Sequence, residues 1–288
     1  MARLNNPLPR NSLLTSVQEL TAANCPSCVV VDCRFNLLKP EAGRAAYLAG
    51  HIPGAWYADL DVDLSGPRGP DTGRHPVPAP ERLRVLFGSF GITPGTRVVA
   101  YDEGGGGLAA RLWWLLRWMG HRDVVLLDGG LAAWERAGLP LSEVCPEPRL
   151  GVFEGEAGAL PVRETNEVRA ALRAGSIQLL DVRAAERFLG RAEPIDPVAG
   201  HVPGAVNVPF AGNLTPEQTF LSEAELALRY APHVAGRDPG DVVCMCGSGV
   251  TACQGIFALA LAGVPGVALY PGSWSEWIRS TDRPVATG

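Results

Sequence analysis

Short runs of four or five mostly apolar residues alternate along this chain with longer segments whose apolar positions recur at helical spacing. Val29-Val-Val-Asp32, Val98-Val-Ala-Tyr101, Val124-Val-Leu-Leu127, Gln178-Leu-Leu-Asp181 and Val242-Val-Cys-Met245 are runs of the first kind. Strands that short and that uniformly apolar are covered on both faces, as in a parallel sheet between helices. Leu108-Ala-Ala-Arg-Leu-Trp-Trp-Leu-Leu-Arg-Trp-Met119 and Ala252 to Leu261 are runs of the second kind. The alternation predicts an α/β fold with a mainly parallel sheet flanked by helices on both faces.

The pattern occurs twice, with an offset of roughly 143 to 150 positions. Val29-Val-Val-Asp32-Cys-Arg34 answers Gln178-Leu-Leu-Asp181-Val-Arg183, and His51-Ile-Pro-Gly-Ala55 answers His201-Val-Pro-Gly-Ala205. Arg97-Val-Val-Ala-Tyr-Asp102, with its glycine loop and helix, answers Asp241-Val-Val-Cys-Met-Cys246 with its own loop and helix. Val124 to Gly130 with Trp134 answers Val267 to Ser273 with Trp277. Four landmarks in one order predict a duplicated domain: 1–138 and 162–288, joined by a proline-rich linker at 139–161 that interrupts both periodicities. The tryptophans of the Leu108 helix are read as core or domain-interface packing.

At 288 residues and 47% hydrophobic, the chain is long enough for two such cores. A net charge of −5 argues against nucleic acid as the partner, though it allows a local basic pocket for a small anion. The first residues lack the apolar run of a signal peptide and no stretch reads as a membrane span, so a cytoplasmic protein is expected, monomeric or weakly dimeric. Seven cysteines without framework spacing are expected to be reduced. Cys25-Pro-Ser-Cys28 lacks a second CxxC and reads as a turn rather than a metal site. Cys33, Cys244 and Cys253 read as core, and Cys145 lies in the linker. No cofactor and no metal site is read from the chain.

Candidate chemistry gathers at Cys246. It ends an apolar strand, and the loop Gly247-Ser248-Gly249-Val250-Thr251 leads from it into a helix. Successive backbone N–H groups and a helix N-terminus converge there, which favours a thiolate. The strand's carboxyl end is where α/β folds collect active groups. The equivalent position in the first half is Asp102, so only the second half carries the nucleophile. A phosphatase loop would need arginine six positions after the cysteine, where this chain has Ala252; no Gly-Lys-Ser/Thr follows a glycine run, so a P-loop is excluded too.

With these motifs the chain resembles the two-domain rhodanese family of sulfurtransferases. The resemblance rests on His51-Ile-Pro-Gly-Ala, Gly73-Arg-His-Pro76, Tyr101-Asp102, Asp128-Gly-Gly130, His201-Val-Pro-Gly-Ala, the Cys246 loop and Gly272-Ser-Trp-Ser-Glu-Trp277. It implies tandem rhodanese-like domains and transfer of sulfur through a Cys246 persulfide, from a small anionic donor to cyanide, a small thiol or a thioredoxin-like acceptor. The loop form Cys-Gly-Ser-Gly-Val-Thr resembles that of 3-mercaptopyruvate enzymes; thiosulfate enzymes typically carry basic residues after the cysteine.

Residue roles follow from the resemblance. The loop N–H groups from Gly247 to Thr251 (Gly247, Ser248, Gly249, Val250 and Thr251) would hold the persulfide, and Arg187 would bind the donor's anionic end. Ser248 would act in a proton relay with His75 and Asp59. His51 and His201 recur symmetrically and read as structural. Asp196 stands where the resemblance implies a second substrate arginine, which leaves Arg183, Arg191 and Arg74 as candidates to replace it. A thiosulfate-preferring enzyme and a non-catalytic sulfur-binding module are the alternatives. A resolving role for Cys244, two positions before Cys246 on the same strand face, is a further one.

Overall fold

The structure is a computed structural model that describes residues 8–22, 28–148 and 151–288. Its strands, in chain order, are β1 (Leu14–Thr15), β2 (Val29–Asp32), β3 (Trp56–Tyr57), β4 (Val98–Tyr101), β5 (Val124–Leu127), β6 (Gln178–Asp181), β7 (Val206–Asn207), β8 (Val242–Met245) and β9 (Ala268–Leu269). The helices of the first half are α1 (Val17–Ala22), α2 (Glu41–Ala49), α3 (Pro80–Ser89), α4 (Ala109–Trp118) and α5 (Gly130–Arg136). Those of the second are α6 (Thr165–Arg173), α7 (Ala185–Phe188), α8 (Glu223–Val234), α9 (Thr251–Leu261) and α10 (Ser273–Trp277).

Two sheets form, in the order β1-β5-β4-β2-β3 and β7-β6-β8-β9, and every strand pair in them is parallel. An isolated parallel bridge from Val162 to Leu269 stands in the second half where β1 stands in the first. The tandem duplicated α/β architecture expected from the sequence is therefore the one observed.

Period-two alternation sends each strand's apolar residues to opposite faces, and both faces are covered. Val98 and Ala100 of β4, and Val242 and Cys244 of β8, enter one core shared by the two halves. Val99 and Tyr101 pack outward with Ile52, Leu131 and Trp134. Val243 and Met245 do the same with Val168, Trp274 and Trp277. The shared core is closed by α4 against α9, where Trp113 meets Phe257 edge to face at 4.9 Å and Trp114 stacks on Trp118 at 5.8 Å. From Ala252 to Leu261 every residue of α9 is buried, as an apolar helix wedged between two domains must be.

The repeat extends to its polar details. Asp32 and Asp181 each hold a buried arginine two positions on, and Arg34 Nη2 and Arg183 Nη2 each donate to a glycine carbonyl, Gly50 O and Gly200 O, at 2.7 Å. Those glycines precede His51 and His201. Both histidines are buried and bonded to carbonyls, Tyr47 O and Phe188 O at 2.8 Å, and stacked on the same residues' rings. They are structural, as expected. Part of the connector is packed: Phe153 lies edge-on to Phe87 of α3 at 5.1 Å.

Cys33, Cys244 and Cys253 are buried free thiols and Cys145 an exposed one. The expectation that all seven cysteines are reduced fails at Cys28, which is disulfide-bonded; Cys25 lies outside the described residues. Among the described residues no helix is long and apolar enough to cross a membrane.

Candidate functional site

Cys246 follows β8 directly, continuing the inward alternation of Val242 and Cys244, and is 2% exposed. The loop turns under it so that Gly249 N donates to Sγ at 3.1 Å and Ser248 N at 3.5 Å. Gly249 adopts φ +77°, and a Cβ there would lie 2.5 Å from the carbonyl oxygen of Pro271, so only glycine fits. The sulfur thus sits among N–H donors at the start of α9, where negative charge is favoured. Cys246 N donates to Ser273 Oγ at 3.1 Å, and Trp274 N donates to Cys246 O at 3.0 Å.

Ser273 was not anticipated from the sequence. It holds φ +53°, where the equivalent first-half residue is Gly130 at φ +56°. A non-glycine residue in that region is strained, and here its hydroxyl fixes the backbone of Cys246.

The cavity over Cys246 encloses about 300 Å³ and is lined from both halves, by Leu60, Arg74, His75, Arg187, Ser248 and Thr251 among others. Larger clefts lie beside the Asp102 loop and beneath Pro76 to Pro80, and neither contains a free thiol. Ser248 Oγ lies 2.7 Å from His75 Nδ1. Burial, then the cations of Arg111, Arg74 and Arg68, lowers the His75 pKa to about 3, so the ring is neutral at physiological pH.

The carboxylate near His75 is that of Asp61. Its Oδ1 is 3.2 Å from Nε2, with the ring N–H aimed off the straight line to it. Asp59, expected in that place, instead caps its own turn: Oδ1 accepts from Asp61 N at 2.8 Å and Val62 N at 3.1 Å. Its Oδ2 accepts from Tyr57 Oη at 3.4 Å. Two aspartates two residues apart on one turn point in different directions: Asp61 lies beside the His75 ring, and Asp59 caps the turn. With an acceptor-only carboxylate facing Nε2, the proton of the neutral ring belongs there and Nδ1 is left to accept from Ser248.

Arg187 is at the cavity, held by Glu193 (Nη2 to Oε1 2.7 Å) and Asp196 (Nη2 to Oδ2 3.1 Å). Gly247, Val250 and Thr251 line the cavity, while among the described residues the N–H bonds to sulfur come from Ser248 and Gly249. Arg183 is consumed by Asp181, Glu193 and Gly200 O and lies over the Trp274 ring at 4.7 Å. Arg191 is exposed, paired with Glu186. Burial pushes the thiol of Cys253 up to about 12 and that of Cys244 higher still, so neither is a thiolate near neutral pH.

Two further arrangements frame the site. Arg111, third residue of α4, is fully buried and donates to the carbonyls of Leu64, His75, Pro76 and Gly249, at 3.1 to 3.3 Å. It ties the Cys246 loop of one domain to the His75 segment of the other. In the first half Asp102 occupies the place of Cys246, and its carboxylate accepts from four backbone N–H groups, of Gly104, Gly106, Leu108 and Ala109. That loop is an anion cradle filled by its own chain.

A cysteine sulfur cradled by N–H groups at a strand's end, beside an arginine and a neutral histidine–serine pair, suits nucleophilic attack on the sulfur of a small anion. The rhodanese-like domain family matches residues 15–137 and 164–280. A probable 3-mercaptopyruvate sulfurtransferase of Pseudomonas aeruginosa is 48% identical over 278 residues, 96% of this chain and 98% of that one. A putative thiosulfate sulfurtransferase of Mycobacterium tuberculosis is 39% identical, covering 90% of each chain. The solved 3-mercaptopyruvate sulfurtransferase from Leishmania major superposes with a TM-score of 0.85 at 28% identity, covering 97% of this chain and 77% of that one. The chain therefore belongs to the rhodanese family: it is a sulfurtransferase of two rhodanese-like domains in tandem, closely related to the 3-mercaptopyruvate and thiosulfate enzymes.

Proposed function

We propose that the sulfur donor is 3-mercaptopyruvate, that Cys246 is the sulfur carrier, and that Ser248, His75 and Asp61 form the proton relay. In the first step the Cys246 thiolate attacks the donor's thiol sulfur and the carbon–sulfur bond breaks. Cys246 becomes a persulfide anion and pyruvate leaves as its enolate, and the proton that was on the donor's sulfur ends on the former CH2 carbon. Ser248 Oγ carries that proton, backed by neutral His75, whose Nε2 side faces the Asp61 carboxylate. Arg187 binds the donor's carboxylate. In the second step cyanide or a thiolate attacks the outer sulfur and restores the Cys246 thiolate. The N–H groups that face Sγ hold the charge of both sulfur anions.

The observation that carries this reading is the 2.7 Å bond between Ser248 Oγ and His75 Nδ1, two residues along the loop from Cys246. Sulfite leaves thiosulfate with its electron pair and needs no proton, so a thiosulfate enzyme has no use for such a relay. The names of the relatives divide between the two donors and support the class rather than the choice. The test is kcat/KM for both donors on the purified protein, with mass spectrometry for one added sulfur on Cys246. A preference for thiosulfate sinks the donor assignment, and no added sulfur from either donor sinks the carrier. The acceptor is a small thiol, cyanide or a thioredoxin-like protein thiol reaching Cys246 through the same cavity.

A further inference from the structure

Two guanidinium groups from opposite domains meet at the mouth of the Cys246 cavity. A Cβ added to Gly247 would lie 3.4 Å from Arg74 Nη2 and 3.6 Å from both terminal nitrogens of Arg187, so both cations stand over the residue that follows the nucleophile. Asp196 lies between them, its Oδ1 accepting from Arg74 Nη1 at 2.7 Å and its Oδ2 from Arg187 Nη2 at 3.1 Å. The aspartate at 196, set against the expected arginine, thus points into the site and holds a substitute there.

Neither guanidinium is saturated. Among the described residues Arg74 Nε is buried without a hydrogen-bond partner and Arg187 Nη1 makes no hydrogen bond. A buried, unpartnered guanidinium N–H is costly unless a ligand completes it. The other arginine at this wall, Arg183, has its donors committed to Asp181, Glu193 and Gly200. Arg74, Arg183 and Arg187 face Asp181, Glu193 and Asp196, so the cluster is charge-balanced. What it offers an anion is oriented N–H groups rather than excess charge.

We propose that Arg74 is a donor-binding residue that completes, with Arg187, a two-guanidinium fork for the donor's carboxylate, and that Asp196 is the buried counter-ion that spaces the fork and limits its affinity. The second anion-binding arginine of this site therefore comes from the first domain, across the interface. Donor binding then depends on domain alignment, because the fork assembles only when the Gly73-Arg-His-Pro76 segment is seated. That seating is visible in Arg74 N donating to Ser275 Oγ at 2.9 Å. The proposal rests on the anionic donor argued above, but its test does not require turnover.

The test is alkylation of Cys246 in the full-length protein by iodoacetate and by iodoacetamide, followed at the Cys246 peptide by mass spectrometry. The two reagents share their chemistry and differ in a carboxylate, so their rate ratio reads the fork. Arg74→Gln is expected to lower the ratio about tenfold, the loss of one charge-assisted pair, with Arg74→Lys intermediate. Asp196→Asn is expected to raise it, since the cluster then carries a net positive charge. In the Asp196→Asn background, Arg74→Gln is expected to lower it again. The iodoacetamide rate alone reports whether the loop is intact in each variant. The proposal is overturned by a ratio indifferent to Arg74→Gln, and equally by an effect that disappears in the Asp196→Asn background, which would mean that Arg74 only neutralises Asp196. A fork confirmed in a protein that takes no sulfur from mercaptopyruvate would sink the donor assignment and leave the fork standing; turnover with an unaffected ratio would do the reverse.

Discussion

Ser248 and His75 are 173 positions apart in sequence and 2.7 Å apart in space, joined across the interface between the two sheets. The serine lies on a second-domain loop fixed by Gly249, and the histidine on a first-domain segment fixed by the Arg111 guanidinium at His75 O. The relay proposed above needs both domains and is intact only while they stay docked. Ser248→Ala should therefore lower kcat/KM for 3-mercaptopyruvate by about 10²- to 10⁴-fold, the range of a general acid–base group. The thiosulfate reaction should change by no more than a few-fold. Steady-state assays with both donors check the split, and equal losses on both would show that Ser248 only shapes the loop.

The same relay separates two neighbouring carboxylates. Asp61→Asn should reduce mercaptopyruvate turnover, because it removes the charge beside His75 Nε2. Asp59→Asn should instead reduce stability, because Asp59 caps the turn through Asp61 N and Val62 N. Turnover and urea midpoints measured on both variants should show this crossed pattern.

His75 gives the protein an acid-sensitive term of definite sign. Its folded pKa of about 3 lies below the ordinary 6.5, so the unfolded chain binds the proton more readily. The folded state is penalised as pH falls through 6.5 and the full contribution is present above it; about 2 kcal/mol is lost by about pH 5. His75→Gln should flatten that limb in urea titrations at the two pH values. Mercaptopyruvate turnover should also lack an acid limb from His75 between about pH 5 and 8.

The first-half cradle makes a separate stability prediction. Asp102 is buried, which raises its pKa, while the four N–H bonds to its carboxylate oppose that rise. Asp102→Ala leaves those four donors empty and should cost about 3 kcal/mol in urea unfolding. Donor kinetics should be affected less than stability, since of the cradle residues only Leu108 lines the Cys246 cavity and Asp102 itself does not.

How much of this the sequence discloses depends on range. Cys246 is legible because strand, loop and helix are contiguous, and because Asp102 in the equivalent place marks it as the single nucleophile of the repeat. The sheets are legible because strands buried on both faces are apolar at every position, as β4 and β8 are. Asp61 is not, since Asp59 and Asp61 share one turn and their directions depend on which of them caps it. Arg74 and Asp196 pair across 122 positions, and no local pattern encodes that. Arg111 left one trace: a lone cation between Ala110 and Leu112, in a helix otherwise apolar there, needs partners from elsewhere in the fold.

Arg111 yields the sharpest contrast between charge and shape. Its guanidinium is fully buried, donates to the carbonyls of Leu64, His75, Pro76 and Gly249, and lies beside the Cys253 thiol. A buried cation with no carboxylate partner among the described residues is costly, and here it faces the loop whose Gly249 N–H holds the Cys246 sulfur. Arg111→Met removes the charge and leaves those carbonyls short of a donor. The His75 pKa should rise toward 6.5, because Arg111 is, after burial, the largest cause of its depression. Arg111→Lys keeps the charge but cannot span carbonyls from two domains. It should keep the His75 pKa low while losing mercaptopyruvate turnover, as the His75 segment loses its anchor to the loop. NMR titration of His75 and turnover on the two variants decide it: an equal rise of the His75 pKa in the Lys and Met variants would mean that the charge contributes nothing.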